Sequence, residues 1–427
     1  LKHIPELDSI ILGEGEETLV KLVKRLIIGN NALETLGIAY LCNGEVVKTK
    51  PRPLIQDLDT LPLPYRQYEP EKVGVFKTLP LLASRGCMRR CAFCSIHMFY
   101  RNSPGKVVRV RKPTKVIEEM LHLYNHYNAR IFLFQDDDFP LWGSWGQRWA
   151  EEFIDGMHES GLANRVLWKI SCRGEYVKPD LFSNLRDAGL YLVYLGLESG
   201  NDEGLKILNK GMTKEQNLLA MKNLKQLGIQ ADYGFMLFDP SSSFDSIRQN
   251  VDFLRQIVGD GCAAAHFSRM LPYGGTPIRK KLKMEGRLRG DIAYPDYDFN
   301  DPRLNEYYIL LSQTISPWLD ERGFSDDLNY AKYELETSRR LAIGIKGADS
   351  YKSALVSLTA ESNERLFSLV EESSLAFEKG DRSIFDSTAV KDYCKKGRVQ
   401  LLDIRDQFIF ENIDVLNAVS GPDFEYV

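Results

Sequence analysis

The chain has 427 residues, and its 59 acidic and 55 basic side chains give it a net charge of -4. Proteins that bind a polyanion carry an excess of basic side chains, so the charge balance argues against a nucleic-acid partner. The hydrophobic fraction of 44% and the charged fraction of 27% exclude a disordered or fibrous chain. No apolar run approaches the roughly 18 residues that cross a bilayer, so no membrane span is expected.

The first 70 residues predict a small adaptor. An apolar strand at 8–12 precedes an amphipathic helix at 14–28, and a hairpin at 33–50 has Asn43-Gly44 as its turn. A proline-rich connector follows, which predicts a stiff, extended boundary.

Residues 71–285 alternate between apolar runs of strand length and amphipathic helical segments, which predicts parallel strands joined by right-handed crossovers. Six such units fit a partial (β/α)6 barrel, although an open doubly wound sheet fits the same periodicity. In both folds, ligands collect at the carboxyl ends of the strands. Residues 286–427 predict a mostly helical C-terminal domain. The six expected strands lie at 79–83, 130–135, 166–171, 190–197, 229–238 and 263–270.

Seven cysteines are too few for a disulfide scaffold. Four are scattered singly, whereas Cys87, Cys91 and Cys94 lie together directly after the first barrel strand. This distribution is typical of a reducing compartment and predicts a cytoplasmic protein with one cysteine site.

Three thiolates on one loop can each bind one iron of a [4Fe–4S] cluster, which leaves the fourth iron open to a further ligand. His97 follows three residues after Cys94. Cys87, Cys91, Cys94 and His97 therefore also fit a structural Cys3His zinc site. A zinc-stabilised binding protein is the alternative from another functional class.

The Cys-x3-Cys-x2-Cys spacing, with Phe93 before the last cysteine, resembles the radical S-adenosylmethionine (SAM) superfamily over roughly residues 75–280. The resemblance implies a partial (β/α)6 barrel in which Cys87, Cys91 and Cys94 bind a [4Fe–4S] cluster and the open iron chelates SAM. One electron from the cluster then cleaves SAM to methionine and a 5′-deoxyadenosyl radical. The implied partners are a small-molecule substrate and an electron donor such as a flavodoxin or a ferredoxin.

The resemblance also implies an acidic SAM contact after the second strand. Asp136, Asp137 and Asp138 lie where family members carry the acceptor for the SAM ammonium, and carboxylates suit that task. The sequence departs here from the Gly-Gly-Glu-like pattern of the family, so which aspartate makes the contact stays open. A divalent-cation site and a solvated turn are the alternatives.

Five further residues are implied in SAM binding. Ser171 and Arg173 follow the third strand and contact the SAM carboxylate or ribose, unless Arg173 pairs structurally with an acid. Glu198, within a Gly-x-Glu-Ser-Gly segment, holds the ribose hydroxyls. Phe93 packs beside the adenine, and Tyr273 stacks there or belongs to a purely structural turn.

Two neighbouring segments are predicted to be structural. The basic residues between Arg101 and Lys112 read as a solvated loop, with an anionic substrate or the electron donor as the alternative contact. The segment 205–213 also looks family-like and is interpreted as scaffold.

Residues 1–70 resemble the end of a cobalamin-binding domain joined to its barrel, which indicates the cobalamin-associated (B12-type) branch. We therefore predict a cobalamin-dependent C-methyltransferase that acts on a small molecule or natural product. The alternative enzyme is cobalamin-independent and rearranges or oxidises a small molecule. Only the last strand and helix of a cobalamin-binding domain are recognisable, so either the form is truncated or the lineage has lost cobalamin.

Overall fold

The computed structural model describes residues 1, 4 and 6–420. Its N-terminal unit packs a small antiparallel sheet beside one helix. The turn at Asn43-Gly44 has positive φ at both residues, as its sequence predicts. The sheet order is β1-β2-β3, with elements β1 (Ser9–Ile11), α1 (Glu16–Ile27), β2 (Ile38–Cys42) and β3 (Glu45–Lys48).

The central sheet has seven strands in the order β12-β11-β10-β9-β8-β5-β4, while β6 and β7 form a separate ribbon. All neighbours from β5 to β12 are parallel, and β4 is an antiparallel edge. Because these strands follow chain order without a reversal, the sheet is a partial (β/α)6 barrel, and the doubly wound alternative is wrong. The strands are β4 (Lys72–Val73), β5 (Phe76–Leu81), β6 (Ser84–Arg85), β7 (Arg109–Val110), β8 (Ala129–Phe134), β9 (Leu167–Cys172), β10 (Leu190–Glu198), β11 (Gln230–Phe238) and β12 (Ser268–Arg269).

Helices cover the outer face of this sheet. Trp168 of β9 packs against Phe134 and Phe153 there, so the alternate residues of the strands face the helices. Thr213 and Gln216 form a capping box, and Gly228 ends the same helix at a φ of +67°. The helices are α2 (Ile96–Arg101), α3 (Pro113–Tyr127), α4 (Gly143–Glu159), α5 (Pro179–Asp187), α6 (Asp202–Ile207), α7 (Lys214–Leu227), α8 (Phe244–Val258) and α9 (Pro277–Met284).

The C-terminal region consists of a short hairpin and four helices, which confirms its helical pattern. None of the described helices combines the length and apolarity that a bilayer crossing requires. The elements are β13 (Leu288–Gly290), β14 (Pro295–Tyr297), α10 (Arg303–Leu319), α11 (Phe324–Leu341), α12 (Ala348–Glu378) and α13 (Ser387–Ser420).

Helix α11 bonds to both edges of the partial barrel, near the amino-terminal ends of the strands. On the β4 side, the amide of Gly74 donates to the Tyr330 hydroxyl at 3.2 Å. On the β12 side, the amide of Ala264 donates to the Asn329 side chain at 2.8 Å. This second bond also explains why β12 is shorter than the expected strand at 263–270, because the backbone at its start bonds to a helix side chain instead of β11.

The inner face of the barrel has an apolar floor. Ile131, Leu167 and Leu192 of the sheet lie in one buried cluster with Ala342, directly after α11, and Leu416 of α13. The C-terminal helices therefore close the amino-terminal end of the lumen, and the carboxyl ends of the strands stay available for a site.

Candidate active site

The cysteine loop follows β6, at the carboxyl end of the first parallel strand, β5. Cys91 is buried, and Cys87 and Cys94 are half-buried. The Ala92 amide donates to the Leu208 carbonyl at 2.8 Å, and the Ala92 carbonyl accepts from Ile278 at 3.1 Å. The loop is thus fixed between the ends of α6 and the start of α9.

The three thiols lie within electrostatic reach of one another. Burial, together with the charges of Asp138, Cys91 and Cys94, raises the pKa of the Cys87 thiol to about 11. Burial also raises the pKa of Cys94. Because thiolates are the metal-binding form, a bound iron cluster would replace these protons and relieve the repulsion.

No group of three or more His, Cys, Asp and Glu side chains within residues 1, 4 and 6–420 is arranged to hold a metal ion. His97 is buried, and its Nδ1 atom has no hydrogen-bond partner. The Cys3His zinc alternative therefore finds no support in this geometry. A cubane makes a different demand, since each cysteine binds its own iron and the thiols need not converge on one point.

The three consecutive aspartates after β8 have different surroundings. Asp136 accepts from the Ala83 amide at 3.2 Å and from the Ser84 hydroxyl, and Asp137 accepts from the Gly86 amide at 2.8 Å. Asp138 is only 4% exposed, yet neither of its carboxylate oxygens has a hydrogen-bond partner within the described chain. Asp136 and Asp137 bond to the loop after β5, so Asp138 is the aspartate of the three that could accept from a ligand.

Positive side chains surround Asp138. Burial raises its pKa to about 7, and the charges of Arg173, Lys210 and Arg89 oppose that shift. A buried carboxylate without hydrogen bonds is costly, so a cationic donor such as an ammonium group would be bound favourably.

Glu198 ends β10 with a φ of +68°, where the pairing with β11 shifts its register. Its Oε1 atom accepts from Lys210 Nζ at 2.9 Å. A Cβ at Gly196 would lie 2.6 Å from that ammonium, and a Cβ at Gly234 would lie 2.6 Å from the Tyr194 hydroxyl. The two glycines are in register and keep a cradle open beside Glu198.

Arg173 has a partly structural role. Its Nη2 atom donates to the Glu175 carboxylate at 3.0 Å and to the Lys210 carbonyl at 2.6 Å, while its buried Nε atom has no partner in the described chain. Glu175 also accepts from Arg89, which reaches the Tyr176 hydroxyl at 3.0 Å. The sequence analysis did not identify Arg89, Glu175 and Lys210 as residues of the site. Their charges, inside or next to segments that resemble the family, were the signal that could have indicated them.

The other three residues that are predicted to contact SAM differ in how exposed they are. Ser171 is half-buried on the inner face and accepts from Lys169 at 3.1 Å. Phe93 is partly buried against the main core, whereas Tyr273 is 49% exposed. Contacts of these three residues with SAM stay predictions.

The solvated-loop prediction for residues 101–112 is wrong for two arginines. Arg109 is buried and binds Glu14 at 2.7 Å and the Ile55 carbonyl at 3.0 Å. Arg111 binds the buried Glu119 at 2.6 Å. Carboxylates from distant parts of the chain pair with these guanidinium groups, which spacing along the loop does not reveal.

The site residues fit an iron–sulfur cluster with a bound amino-acid-like ligand. Three thiols lie near a carboxylate whose two oxygens have no hydrogen-bond partner in the described part of the chain, and the same holds for a guanidinium Nε atom. Beside them lies a space that a single Cβ would fill. Residues 81–254 match the family described as the radical SAM superfamily. The chain therefore carries a radical SAM domain, the domain of an enzyme superfamily whose cofactors are a [4Fe–4S] cluster and SAM.

The chain is also similar to curated relatives. The chain is 29% identical to an uncharacterized methyltransferase of Pyrococcus horikoshii, over 65% of this chain and 58% of the relative. It is 30% identical to the anaerobic magnesium-protoporphyrin IX monomethyl ester cyclase of Cereibacter sphaeroides, over 71% of this chain and 48% of the relative. The chain thus spans about half the length of these relatives.

Two solved structures share the fold. The cobalamin-dependent S-adenosylmethionine radical enzyme OxsB, with aqua-cobalamin bound, has a TM-score of 0.63 at 18% identity and covers 98% of this chain and 66% of its own. The radical S-adenosylmethionine methyltransferase TsrM from Kitasatospora setae has a TM-score of 0.54 at 18% identity, over 65% of this chain and 54% of its own. These likenesses confirm the barrel with its helical C-terminal region.

Proposed function

We propose that this chain is the radical SAM part of a cobalamin-dependent C-methyltransferase that acts on a small molecule or natural product. One observation carries the proposal: the buried Asp138, whose two oxygens lack partners within the described chain, lies in electrostatic contact with the cysteine loop. A site that surrounds an unsatisfied carboxylate with thiols and cations favours an amino-acid-like ligand bound beside a metal.

Each predicted residue takes one role in this proposal. Cys87, Cys91 and Cys94 hold the cluster. Asp138 accepts from the ammonium of SAM, Arg173 and Ser171 donate to its carboxylate or ribose, Glu198 accepts from the ribose hydroxyls, and Phe93 and Tyr273 border the adenine. When bound, the cluster and SAM supply a one-electron cleavage of the sulfonium. The protein side chains orient SAM.

The cobalamin part of the proposal rests on residues 1–70, which we assign as an adaptor before the barrel at 71–285 and the helical domain at 286–427. Helix α1 exposes a continuous apolar face formed by Leu19, Val20, Val23, Leu26 and Ile27. Exposed apolar faces of this size are typical of interaction surfaces. We propose that a cobalamin-binding unit covers it, which agrees with the cobalamin bound in the structures of OxsB and TsrM.

A second reaction is favoured by the cyclase relative, whose name describes ring formation. In that case the same site would oxidise or rearrange a small molecule without methyl transfer. Both reactions need an electron donor, for which we propose a flavodoxin or a ferredoxin, and both fit the reducing cytoplasm.

Metal analysis after anaerobic reconstitution tests the radical SAM assignment. We expect about four irons per chain and 5′-deoxyadenosine formation from SAM in the presence of a reductant. Cys91→Ala should lose the cluster and this activity, whereas Cys42→Ala changes an exposed cysteine and should keep both. A single zinc per chain, or full iron content in Cys91→Ala, would contradict the assignment.

Isotope-labelled SAM separates the two reactions. A methyltransferase should move the labelled methyl group to product only when cobalamin is supplied. Turnover that is equal with and without cobalamin, and that leaves the label on SAM or methionine, would favour oxidation or rearrangement.

A further inference from the structure

A polar layer crosses the inner face of the barrel between the apolar floor and the proposed SAM site. Tyr194 of β10 is in register with Ser171 of β9 and with Asp232 of β11, so these side chains share one face. Lys169 lies on that face too, because Trp168 and Ile170 on either side of it belong to the core under the helices.

The polar layer is accessible from the lumen. Tyr194 is 36% exposed although β10 is an interior strand of the sheet, with a neighbour on each side. Ser171, Lys169 and Asp232 are all partly exposed as well. Accessible side chains on an interior strand indicate an open space above the floor, which is where a substrate would lie.

Lys169 is the cation of this layer, and it has free hydrogen-bonding capacity. Its Nζ atom donates to Ser171 Oγ at 3.1 Å and lies 5.4 Å from the centre of the Tyr194 ring. An ammonium group has three donors, so two remain available. Within the described chain no carboxylate lies at ion-pair distance from it.

Two carboxylates of the neighbouring strands β10 and β11 are engaged by other groups. Asp232 accepts from the Tyr233 amide at 2.8 Å and is bonded to the Tyr333 side chain of α11. Glu198 accepts from Lys210. Burial lowers the pKa of Lys169, and the charge of Asp232 opposes that shift only in part. A half-buried ammonium without a counter-ion is a position where an incoming anion gains binding energy.

We propose that Lys169 binds an anionic group of the substrate, a carboxylate or a phosphate, at the base of the barrel lumen. Tyr194 flanks the same group, and the rest of the substrate extends past Gly196 and Gly234 toward Asp138. This inference rests on the proposed function, since it defines the substrate class of that site. It makes Lys169 a specificity-determining residue for an acidic small molecule.

Competitive acylation of lysines tests the proposal on the reconstituted, anaerobic protein. The probes are inorganic phosphate, acetate and, at matched ionic strength, chloride. Acetylation of Lys169 by an N-hydroxysuccinimide ester is followed by mass spectrometry, with the exposed Lys395 as internal control. At about ten times the dissociation constant of a bound anion, the free fraction of Lys169 falls about tenfold, and its acylation slows by that factor.

Protection by phosphate alone supports a phosphorylated substrate, protection by acetate alone supports a carboxylate, and protection by both supports a general oxyanion site. Equal acylation of Lys169 in all three salts overturns the proposal, as does protection of Lys395 to the same degree. Formation of 5′-deoxyadenosine by the same preparation is measured separately. Its loss would contradict the radical SAM function without affecting the anion result.

Discussion

At the scale of single residues, the main feature of the site is the buried carboxyl group of Asp138. Asp136, Asp137 and Asp138 are chemically identical neighbours, and only the path of the chain after β8 decides their tasks. Two of them bond to the loop after β5, and the third is left buried without a hydrogen bond in the described chain. Sequence chemistry can name the group of three, but it cannot select Asp138, because selection depends on which backbone amides the loop presents.

We expect Asp138→Asn to weaken SAM binding, because an amide cannot form the charge-assisted bond to the ammonium. A lost bond of that kind is worth about 1.5–3 kcal/mol, or roughly a tenfold to hundredfold rise in the KM for SAM. The measurement is 5′-deoxyadenosine formation against SAM concentration.

Asp136→Asn is the matched control. Its partners are the Ala83 amide and the Ser84 hydroxyl, so it should lower the stability of the protein by about 1 kcal/mol while the KM for SAM changes little. A larger KM effect for Asp136→Asn than for Asp138→Asn would reverse the assignment.

Helix α11 shows how a C-terminal element supports the barrel. It places Asn329 and Tyr330 on the two sheet edges, and its Lys332 is 5% exposed and bonded to Thr359 and the Leu355 carbonyl. The helical pattern of this region was predictable from its apolar periodicity. Its contacts with the sheet were not, since they join residues far apart in the chain.

Burial lowers the pKa of Lys332 from 10.5 to about 7, although Cys262 and Asp260 oppose that shift. Between these two pH values the unfolded chain binds one more proton at this lysine than the folded protein does. The contribution of Lys332 to the unfolding free energy therefore rises with pH between these two values, by at most about 1.4 kcal/mol per pH unit.

Lys332→Met should remove that dependence. As the pH falls from 10 toward 7, the unfolding free energy of the wild-type protein should therefore decrease relative to that of the variant. Urea unfolding at several pH values measures the difference. Lys391→Met changes an exposed lysine and should run parallel to the wild-type protein. A constant difference between Lys332→Met and wild type would show that Lys332 stays charged in the fold.

The whole molecule is joined by buried charges between its N-terminal unit and the cysteine loop. Glu14 accepts from Arg109 at 2.7 Å, from Arg85 at 3.0 Å and from the Ile55 amide at 2.8 Å. Burial raises the pKa of Glu14, but these bonds outweigh it, and the pKa lies below its usual value. Arg85 lies two residues before Cys87, so the N-terminal unit contacts the segment that carries the three cysteines.

Glu14→Gln should lower the unfolding free energy by about 3 kcal/mol, because it leaves buried guanidinium groups without their counter-ion. Hydrogen exchange should rise together in residues 9–27 and 85–94. Glu34→Gln breaks an exposed pair with Arg25 and should cost less than about 0.5 kcal/mol. Faster exchange in 9–27 alone would contradict the link to the cysteine loop.

The barrel itself was largely predictable. Four of the strands begin and end within one or two residues of their apolar runs, because a buried parallel strand needs a continuous apolar sequence. The order of the strands, which decides between a barrel and a doubly wound sheet, required the structure. The alternation of strands and helices along the chain defines the repeating units. It does not define on which side of the preceding strand the next strand joins the sheet.

The seam that α11 forms has a mechanical consequence. Strands joined by backbone ladders fix the circumference of a closed barrel, whereas here part of the wall is held by side chains such as Asn329 and Tyr330. Because β4 and β12 are not paired with each other, their separation can change without breaking a hydrogen bond between strands. Substitutions in this one helix should therefore change the spacing of the two edges, while the loops at the carboxyl ends of the strands keep their contacts.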